Sequence, residues 1–202
     1  MESLREDESG ILKNGKTKPM VFRRFTYENG LDIIAPLKCG TRWLEEWTNP
    51  IDIQTYGKIE ELIPTPKTYW VYRSPDEHLI SALHTEIRAN VNINGLSQQS
   101  SIESVVESFL RGEGAHWSPT LFADMYPIHK RIKFKLIPLS NLSTLFSLEL
   151  KYSPDWYYDV SKWDKDDIMD MIGKNTLYTL LRTINTEIEW LNTINRDMKK
   201  FL

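Results

Sequence analysis

The sequence has a single cysteine among its 202 residues, Cys39, and no CxxC pair. An internal disulfide is therefore excluded, and a metal site made of clustered cysteines and histidines is not indicated. No run of 18 or more apolar residues is present, so we expect no membrane span. The first residues are charged and lack the apolar segment of a signal peptide, and a cytoplasmic location is the expectation that follows.

The chain also lacks a strong charge of either sign. Lys and Arg number 25 and Asp and Glu 28, which gives a formal net charge of −3. A broad attraction to nucleic acid or to an acidic membrane is not indicated, so any anion site must be local. The length fits one domain, residues 1–202, in which we expect residues 1–17 to be flexible.

Short apolar segments alternate with helical segments along the chain. Strands are predicted at residues 20–27, 31–35, 68–73 and 134–138. Helices are predicted at residues 41–47, from residue 74 onward, and at 102–110, 141–150, 164–172 and 176–201. Residues 90–101 are polar and predict a mobile loop, and residues 115–119 predict another loop. This order favours an α/β, P-loop-like three-layer fold, with a small central parallel sheet flanked by helices.

Residues 31–44, LDIIAPLKCGTRWL, are the most informative segment. An apolar strand ends in a loop with Lys38, Gly40 and Thr41, and a helix follows at once. Free backbone N–H groups and the positive end of the helix dipole favour a phosphate or sulfate there. Alone, such a loop is equally typical of a surface turn. A nucleoside-triphosphate loop is not indicated, because the pattern G-x-x-x-x-G-K-[ST] is absent.

A second candidate anion site follows the next predicted strand of the sheet core. Arg73 ends this strand, and Pro75 and Ser81 come soon after. Neighbouring parallel strands end at the same edge of a sheet, where ligands of such folds bind. We therefore expect Lys38 and Arg73 to face one crevice, which would suit a ligand with two anionic groups and a nucleoside-sized spacer.

These segments resemble the sulfotransferases that use 3′-phosphoadenosine 5′-phosphosulfate (PAPS). The first loop of that family reads roughly P-K-x-G-T-T/S-x-L, and residues 36–44 here read PLKCGTRWL. Leu37 stands at the usual proline and Arg42 at the second hydroxyl residue. The second motif of the family has an arginine, a proline two residues later and a serine eight residues later, as at Arg73 and Ser81.

A third likeness is HWSP at residues 116–119, which is similar to the HWxP element of Golgi-type carbohydrate sulfotransferases. The resemblance covers residues 31–150, and the chain is short for the family. It implies an α/β enzyme that needs no metal. The donor-binding residues that it implies are Lys38, Cys39, Gly40, Thr41, Arg42, Trp43, Arg73 and Ser81.

The resemblance also implies roles in catalysis. Lys38 would neutralise the leaving phosphate, and Arg73 would grip the 3′-phosphate through two parallel hydrogen bonds. His116 is the first choice for the base that takes the acceptor's proton. Glu60 and Glu61 are the alternatives, and a histidine beside a tryptophan is also commonly structural.

The sequence thus predicts a PAPS-dependent sulfotransferase acting on a hydroxyl of a carbohydrate. A non-catalytic module that binds PAPS or its product PAP is one alternative, and a P-loop-related small-molecule kinase is another. Trp43 and Trp117 could stack on adenine, although most tryptophans pack in cores. The basic run at residues 129–133 is a solvated edge or a site for an acidic glycan.

Overall fold

The computed structural model describes residues 20–94, 99–111, 116–132, 134–149, 170 and 172–199. It is an α/β fold with a mixed sheet of five strands. The strands are β1 (Phe22–Thr26), β2 (Asp32–Pro36), β3 (Asp52–Tyr56), β4 (Thr68–Tyr72) and β5 (Lys135–Pro138). The α-helices are α1 (Thr41–Trp47), α2 (Pro75–Asn94), α3 (Gln99–Leu110), α4 (Leu121–Arg131), α5 (Leu142–Phe146) and α6 (Lys174–Lys199).

The strand order across the sheet is β3-β1-β2-β4-β5. β2, β4 and β5 are parallel neighbours, whereas β1 runs antiparallel to both β2 and β3. The prediction of a parallel sheet is therefore correct for β2, β4 and β5 and wrong for β1, which runs in the opposite direction and makes the sheet mixed. The reason is the tight turn between β1 and β2, where Gly30 has a φ of +74°. A connection this short can join only antiparallel strands.

Two elements were not predicted, and each has a physical reason. β3 is exposed along most of its length and lies at the sheet edge, so it carries little of the apolar pattern that marks a strand. α4 contains Pro127, which lacks the N–H that a helix interior normally uses. The buried residues of α4 still have helical spacing: Leu121, Phe122, Met125, Ile128 and His129.

The predicted loop at residues 90–101 is wrong over most of its length. α2 continues to Asn94 and α3 begins at Gln99. Asparagine has only a modest helix penalty, and the first glycine after Pro75 is Gly95, so nothing earlier stops the helix. None of the described helices is long and apolar enough to cross a lipid bilayer.

Of the helices predicted in the C-terminal part of the chain, the last is confirmed and α5 is shorter than predicted. α5 ends at Phe146 rather than residue 150, because Ser147 adopts the left-handed conformation that terminates helices, with a φ of +53°. The long predicted last helix is confirmed as α6. The helix predicted at residues 164–172 lies almost wholly outside the described residues, as do residues 1–17.

Apolar side chains cover both faces of the sheet. Successive residues of β2 point to opposite faces, so Ile34 packs with Trp70 on one side, while Ile33 and Ala35 pack with Val71 on the other. The first side is covered by α4 and α6, and the second by α1 and α5. β2 is buried along its whole length and is the centre of the core.

An ion pair between the buried Asp32 and the half-buried Arg24 joins three strands at the amino-terminal end of β2. The carboxylate of Asp32 accepts hydrogen bonds from Nε and Nη2 of Arg24, at 2.8 and 2.7 Å, and from the hydroxyl of Thr68 at 3.0 Å. Because both carboxylate oxygens have close partners, the cost of burying the charge is largely offset. The pair fixes β1, β2 and β4 in register at this end of the sheet.

Glu187 lies inside the buried stripe of α6 and caps α4. Its Oε2 accepts a hydrogen bond of 2.9 Å from the backbone N–H of Phe122, in the first turn of α4. Burial raises the pKa of the Glu187 carboxyl to about 8, and the nearby charge of Asp124 acts in the same direction. The carboxyl therefore keeps its proton at neutral pH in the folded chain.

We predict that Glu187 makes the fold less stable as the pH rises. Between about pH 4.5 and 8 the folded chain binds the proton that the unfolded chain has lost, so the free energy of unfolding falls with pH. Glu187→Gln removes this titration and keeps an acceptor for the N–H of Phe122. Between pH 5 and pH 9 the free energy of unfolding, measured with urea, should fall by roughly 2–4 kcal/mol less in the variant than in the parent chain.

Glu189→Gln is the matched control, because it removes the same charge from an exposed position of the same helix. It should leave the pH dependence of unfolding as in the parent chain. Parallel pH profiles for the parent and Glu187→Gln would contradict the assignment of this titration to Glu187.

Candidate functional site

The two predicted anion loops start from neighbouring parallel strands. β2 and β4 are paired with Ile34 opposite Trp70, and both strands end two residues later, at Pro36 and Tyr72. Lys38 and Arg73 therefore follow strand ends that lie side by side. The connection between them is longer than the single strand–helix–strand unit of the prediction, since it also forms β3 at the far edge of the sheet.

The loops lie close together. The charge and the backbone N–H of Arg73 are near enough to Sγ of Cys39 to lower the pKa of this thiol. Burial nevertheless raises the pKa of the Cys39 thiol to about 12. The thiol is thus protonated at neutral pH, which argues against a nucleophilic or redox role and makes Cys39 a buried contact between the two loops.

The Lys38 loop is a tight turn with an unusual backbone. The N–H of Cys39 donates to the carbonyl of Pro36 at 3.1 Å, and Lys38, the third residue of the turn, has a φ of +68°. Leu37 is not among the positive-φ residues, so the turn is of type II. Glycine is usual at the third position, and a side chain there costs about 1–2 kcal/mol.

Gly40 follows at once, again in the left-handed region, with a φ of +82°, and precedes α1. A Cβ on this residue would lie 2.6 Å from Cδ1 of Leu139 and 3.3 Å from Cδ1 of Leu142. Both leucines are buried, so they have little room to move. The close approach of the segment after β5 thus requires glycine at this position.

His78, in α2, forms a hydrogen bond through its side chain with the backbone of the Lys38 loop. Its side chain is 2% exposed, and Nε2 lies 2.9 Å from the carbonyl oxygen of Leu37. The backbone of His116 and the charge of Arg73 lie near enough to the ring to influence its pKa in opposite directions. Burial lowers the pKa of His78 to about 4, so the ring is neutral at pH 7 and its Nε2 carries the proton that Leu37 accepts.

His116, the predicted base, is paired with a carboxylate. Its Nδ1 lies 2.8 Å from Oε1 of Glu86, and the two residues are 7% and 8% exposed. With Nδ1–H directed at the carboxylate, Nε2 of the neutral ring carries the lone pair. An oriented histidine whose other nitrogen is held by an acid is the arrangement that general bases use.

Glu86 and His78 were missed by the sequence reasoning, although a signal was present. They stand eight residues apart on α2, with Ala82 midway, and so share the helix face that also carries Leu79 and Leu83. Polar side chains within the apolar face of a helix need buried partners. The presence of His78 and Glu86 on this apolar face therefore indicates a buried polar cluster.

The other donor-binding residues implied by the resemblance differ in burial and in ion pairing. Arg42 and Ser81 are half-buried, and Thr41 is buried at the start of α1. Among the described ion pairs, none includes Arg73. Its guanidinium therefore has no carboxylate partner in the part of the chain that the structure describes.

Both tryptophans considered for adenine stacking are in the core. Trp43 is buried, donates from Nε1 to the carbonyl of Glu149 at 3.3 Å, and meets the ring of Phe146 edge-on. Trp117 is stacked on Phe109 with ring centroids 4.8 Å apart. Both indoles act as packing residues, with little surface left for a nucleotide.

Glu60 and Glu61, the alternative bases, are exposed in a 3-10 turn after β3. They take no part in the hydrogen bonds around His78 and His116. In the basic run, His129 is buried against the ring of Phe134, and Lys130 lies over the ring of Tyr126. The described part of this run forms the last turn of α4 and the residue after it, Ile132, and its positive charges complement the dipole of that helix.

We predict that Gly40→Ala destabilises the chain by roughly 2–4 kcal/mol, because left-handed strain and overpacking against Leu139 add together. Gly30→Ala is the control, since Gly30 has a similar φ but its Cβ would meet nothing nearer than 4.0 Å. That variant should cost only about 1 kcal/mol. Equal losses in urea unfolding would show that the contact with Leu139 is unimportant.

Comparison of the chain with protein-family models, with curated proteins and with solved structures finds no match. The functional argument therefore depends on the chain's own geometry. Lys38 and Arg73 follow adjacent strand ends, His78 bonds the backbone of the Lys38 loop, and His116 lies near His78.

Proposed function

We propose that the chain is a sulfotransferase that transfers a sulfuryl group from PAPS to a hydroxyl of a carbohydrate. The observation that carries the proposal is the parallel pairing of β2 with β4, which puts the Lys38 and Arg73 loops at adjacent strand ends, with Arg73 near Sγ of Cys39. A doubly anionic nucleotide could span the two loops. A P-loop-like, three-layer arrangement belongs to the same proposal.

Charge supports this use of the two loops. PAPS carries a phosphate on the 3′ oxygen of its ribose and a phosphosulfate on the 5′ oxygen. Arg73 has no carboxylate partner among the described residues, and its planar guanidinium suits the 3′-phosphate. Lys38 would then lie at the phosphosulfate, beside the backbone N–H groups with which α1 begins.

The chemistry assigned to the site is an in-line transfer. The acceptor oxygen attacks sulfur, its proton passes to Nε2 of His116, and the bond from sulfur to the 5′-phosphate oxygen breaks. The departing oxygen keeps the bonding electron pair, and the Lys38 ammonium neutralises its charge. The products are a sulfate monoester and 3′,5′-bisphosphoadenosine. Glu86 holds the ring of His116 and stabilises its protonated form.

A carbohydrate acceptor is favoured by residues 116–119, HWSP, which resemble the HWxP element of Golgi-type carbohydrate sulfotransferases. The non-catalytic binding module remains the competing function. It would share the donor-binding loops but would not need the Glu86–His116 pair. The pair therefore favours the enzyme.

We predict that Lys38→Ala and Arg73→Ala fail in different ways. Arg73→Ala should weaken the binding of 3′,5′-bisphosphoadenosine in calorimetric titration by about 2–5 kcal/mol. Lys38→Ala should lower kcat for transfer of labelled sulfate at least about 100-fold, since its charge acts on the transition state.

Lys67→Ala is the control, because it removes an exposed lysine at the amino-terminal end of β4, whereas the site lies at the carboxyl end of that strand. It should bind and react as the parent does. ATP with magnesium should not compete for the site. Full nucleotide binding by Arg73→Ala, or tight binding of ATP instead, would contradict the proposal.

We predict that His116→Asn abolishes transfer and leaves nucleotide binding intact. The amide N–H of asparagine replaces Nδ1–H toward Glu86, so the fold is preserved, but no base remains. The loss in kcat should be roughly 10²- to 10⁴-fold. A panel of glycan acceptors with labelled PAPS measures it.

His129→Asn is the matched control, as it replaces another buried histidine, away from the loops. Nucleotide binding without transfer in the parent chain itself would favour the binding module. Undiminished transfer by His116→Asn would rule out His116 as the base.

A further inference from the structure

The geometry points to His78 as a positioning residue that selects the turn of the Lys38 loop and thereby aims the lysine. Its consequence for catalysis rests on the proposed function, but its effect on the loop does not. His78 makes this contact through its side chain from α2, while the turn belongs to the segment between β2 and α1.

The acceptor of the His78 hydrogen bond is the central peptide of the turn. Leu37 and Lys38 are the two middle residues, and the carbonyl between them accepts from Nε2 of His78 at 2.9 Å. Type I and type II turns differ by a reversal of this peptide. In a type I turn the carbonyl of Leu37 would point away from His78, and the φ of Lys38 would be negative.

The hydrogen bond thus stabilises the turn that Lys38 itself disfavours. Lysine avoids positive φ, so without a partner for the Leu37 carbonyl the type I form is preferred. His78 is buried and neutral, and it would lose its own partner if the peptide reversed. His116 lies near the same ring, so one side chain of α2 is close to both the turn that carries the cation and the proposed base.

Cys39 reports on this turn without reference to function. It is the only cysteine of the chain, it ends the turn, and it is fully buried. A maleimide reagent reaches it only when the loop opens. His78→Leu should raise the labelling rate about tenfold, whereas His78→Gln, which keeps an N–H donor, should stay within about threefold of the parent.

Two controls sharpen the test. His129→Leu also removes a buried histidine and should change labelling no more than its change in global stability requires. In a Lys38→Gly background the turn no longer carries strain, so the effect of His78→Leu should shrink to about threefold or less. Equal rates for His78→Leu and His78→Gln, or an unchanged effect in the glycine background, would overturn the proposal.

The catalytic consequence is measured separately. With PAPS as the donor, His78→Leu should lower kcat more than about tenfold while KM for PAPS stays within about threefold, and His78→Gln should recover most of kcat. A rise in KM alone would overturn the claim that His78 aims Lys38. If the parent chain binds no bisphosphate nucleotide, the proposed function fails, while the labelling rates still decide the role of His78 in the turn.

Discussion

The parallel pairing of β2 with β4 is the constraint on which the rest of this structure depends. It brings the Lys38 and Arg73 loops to one edge of the sheet, although 34 residues and another strand separate them in sequence. The strands are held at their amino ends by Asp32 and along their length by the core. The position of one loop relative to the other is therefore set by rigid backbone pairing.

Helix α2 adds the second part of the arrangement. It leaves the Arg73 loop, and in its amino-terminal half it presents His78 and then Glu86 to the interior. The first side chain bonds the Lys38 loop and the second bonds His116. One helix thus joins three separate segments of the chain, and a shift of α2 would be felt by all of them.

Much of the frame could be read from the sequence, because local signals and the tertiary structure agree there. The bounds of α1 were predicted correctly, and β2 and β4 have the apolar, β-branched character of buried strands. β3 and α4 could not be read as easily, since the edge strand is polar and Pro127 interrupts the helix. In those elements, pairing with neighbours and packing outweigh local preference.

The candidate site divides in the same way. Lys38, Gly40 and Arg73 follow strands, so their positions followed from the order of elements. Glu86 and His78 act across the fold, and only their place on an otherwise apolar face of α2 could have indicated them.

The two ends of β2 differ in a way that bears on function. At the amino end, Asp32 has full hydrogen bonding from Arg24 and Thr68, which is what a purely structural buried charge requires. At the carboxyl end, a lysine is held in a left-handed conformation and a buried histidine, held neutral by its surroundings, is used to hold it there.

A glycine at residue 38 would adopt this conformation without strain, so the lysine there costs stability that a glycine would not. Such local costs persist where the surrounding structure enforces them, and they concentrate at functional sites. The strain at Lys38 therefore supports, independently of any family likeness, our proposal that the carboxyl end of β2 is the functional site.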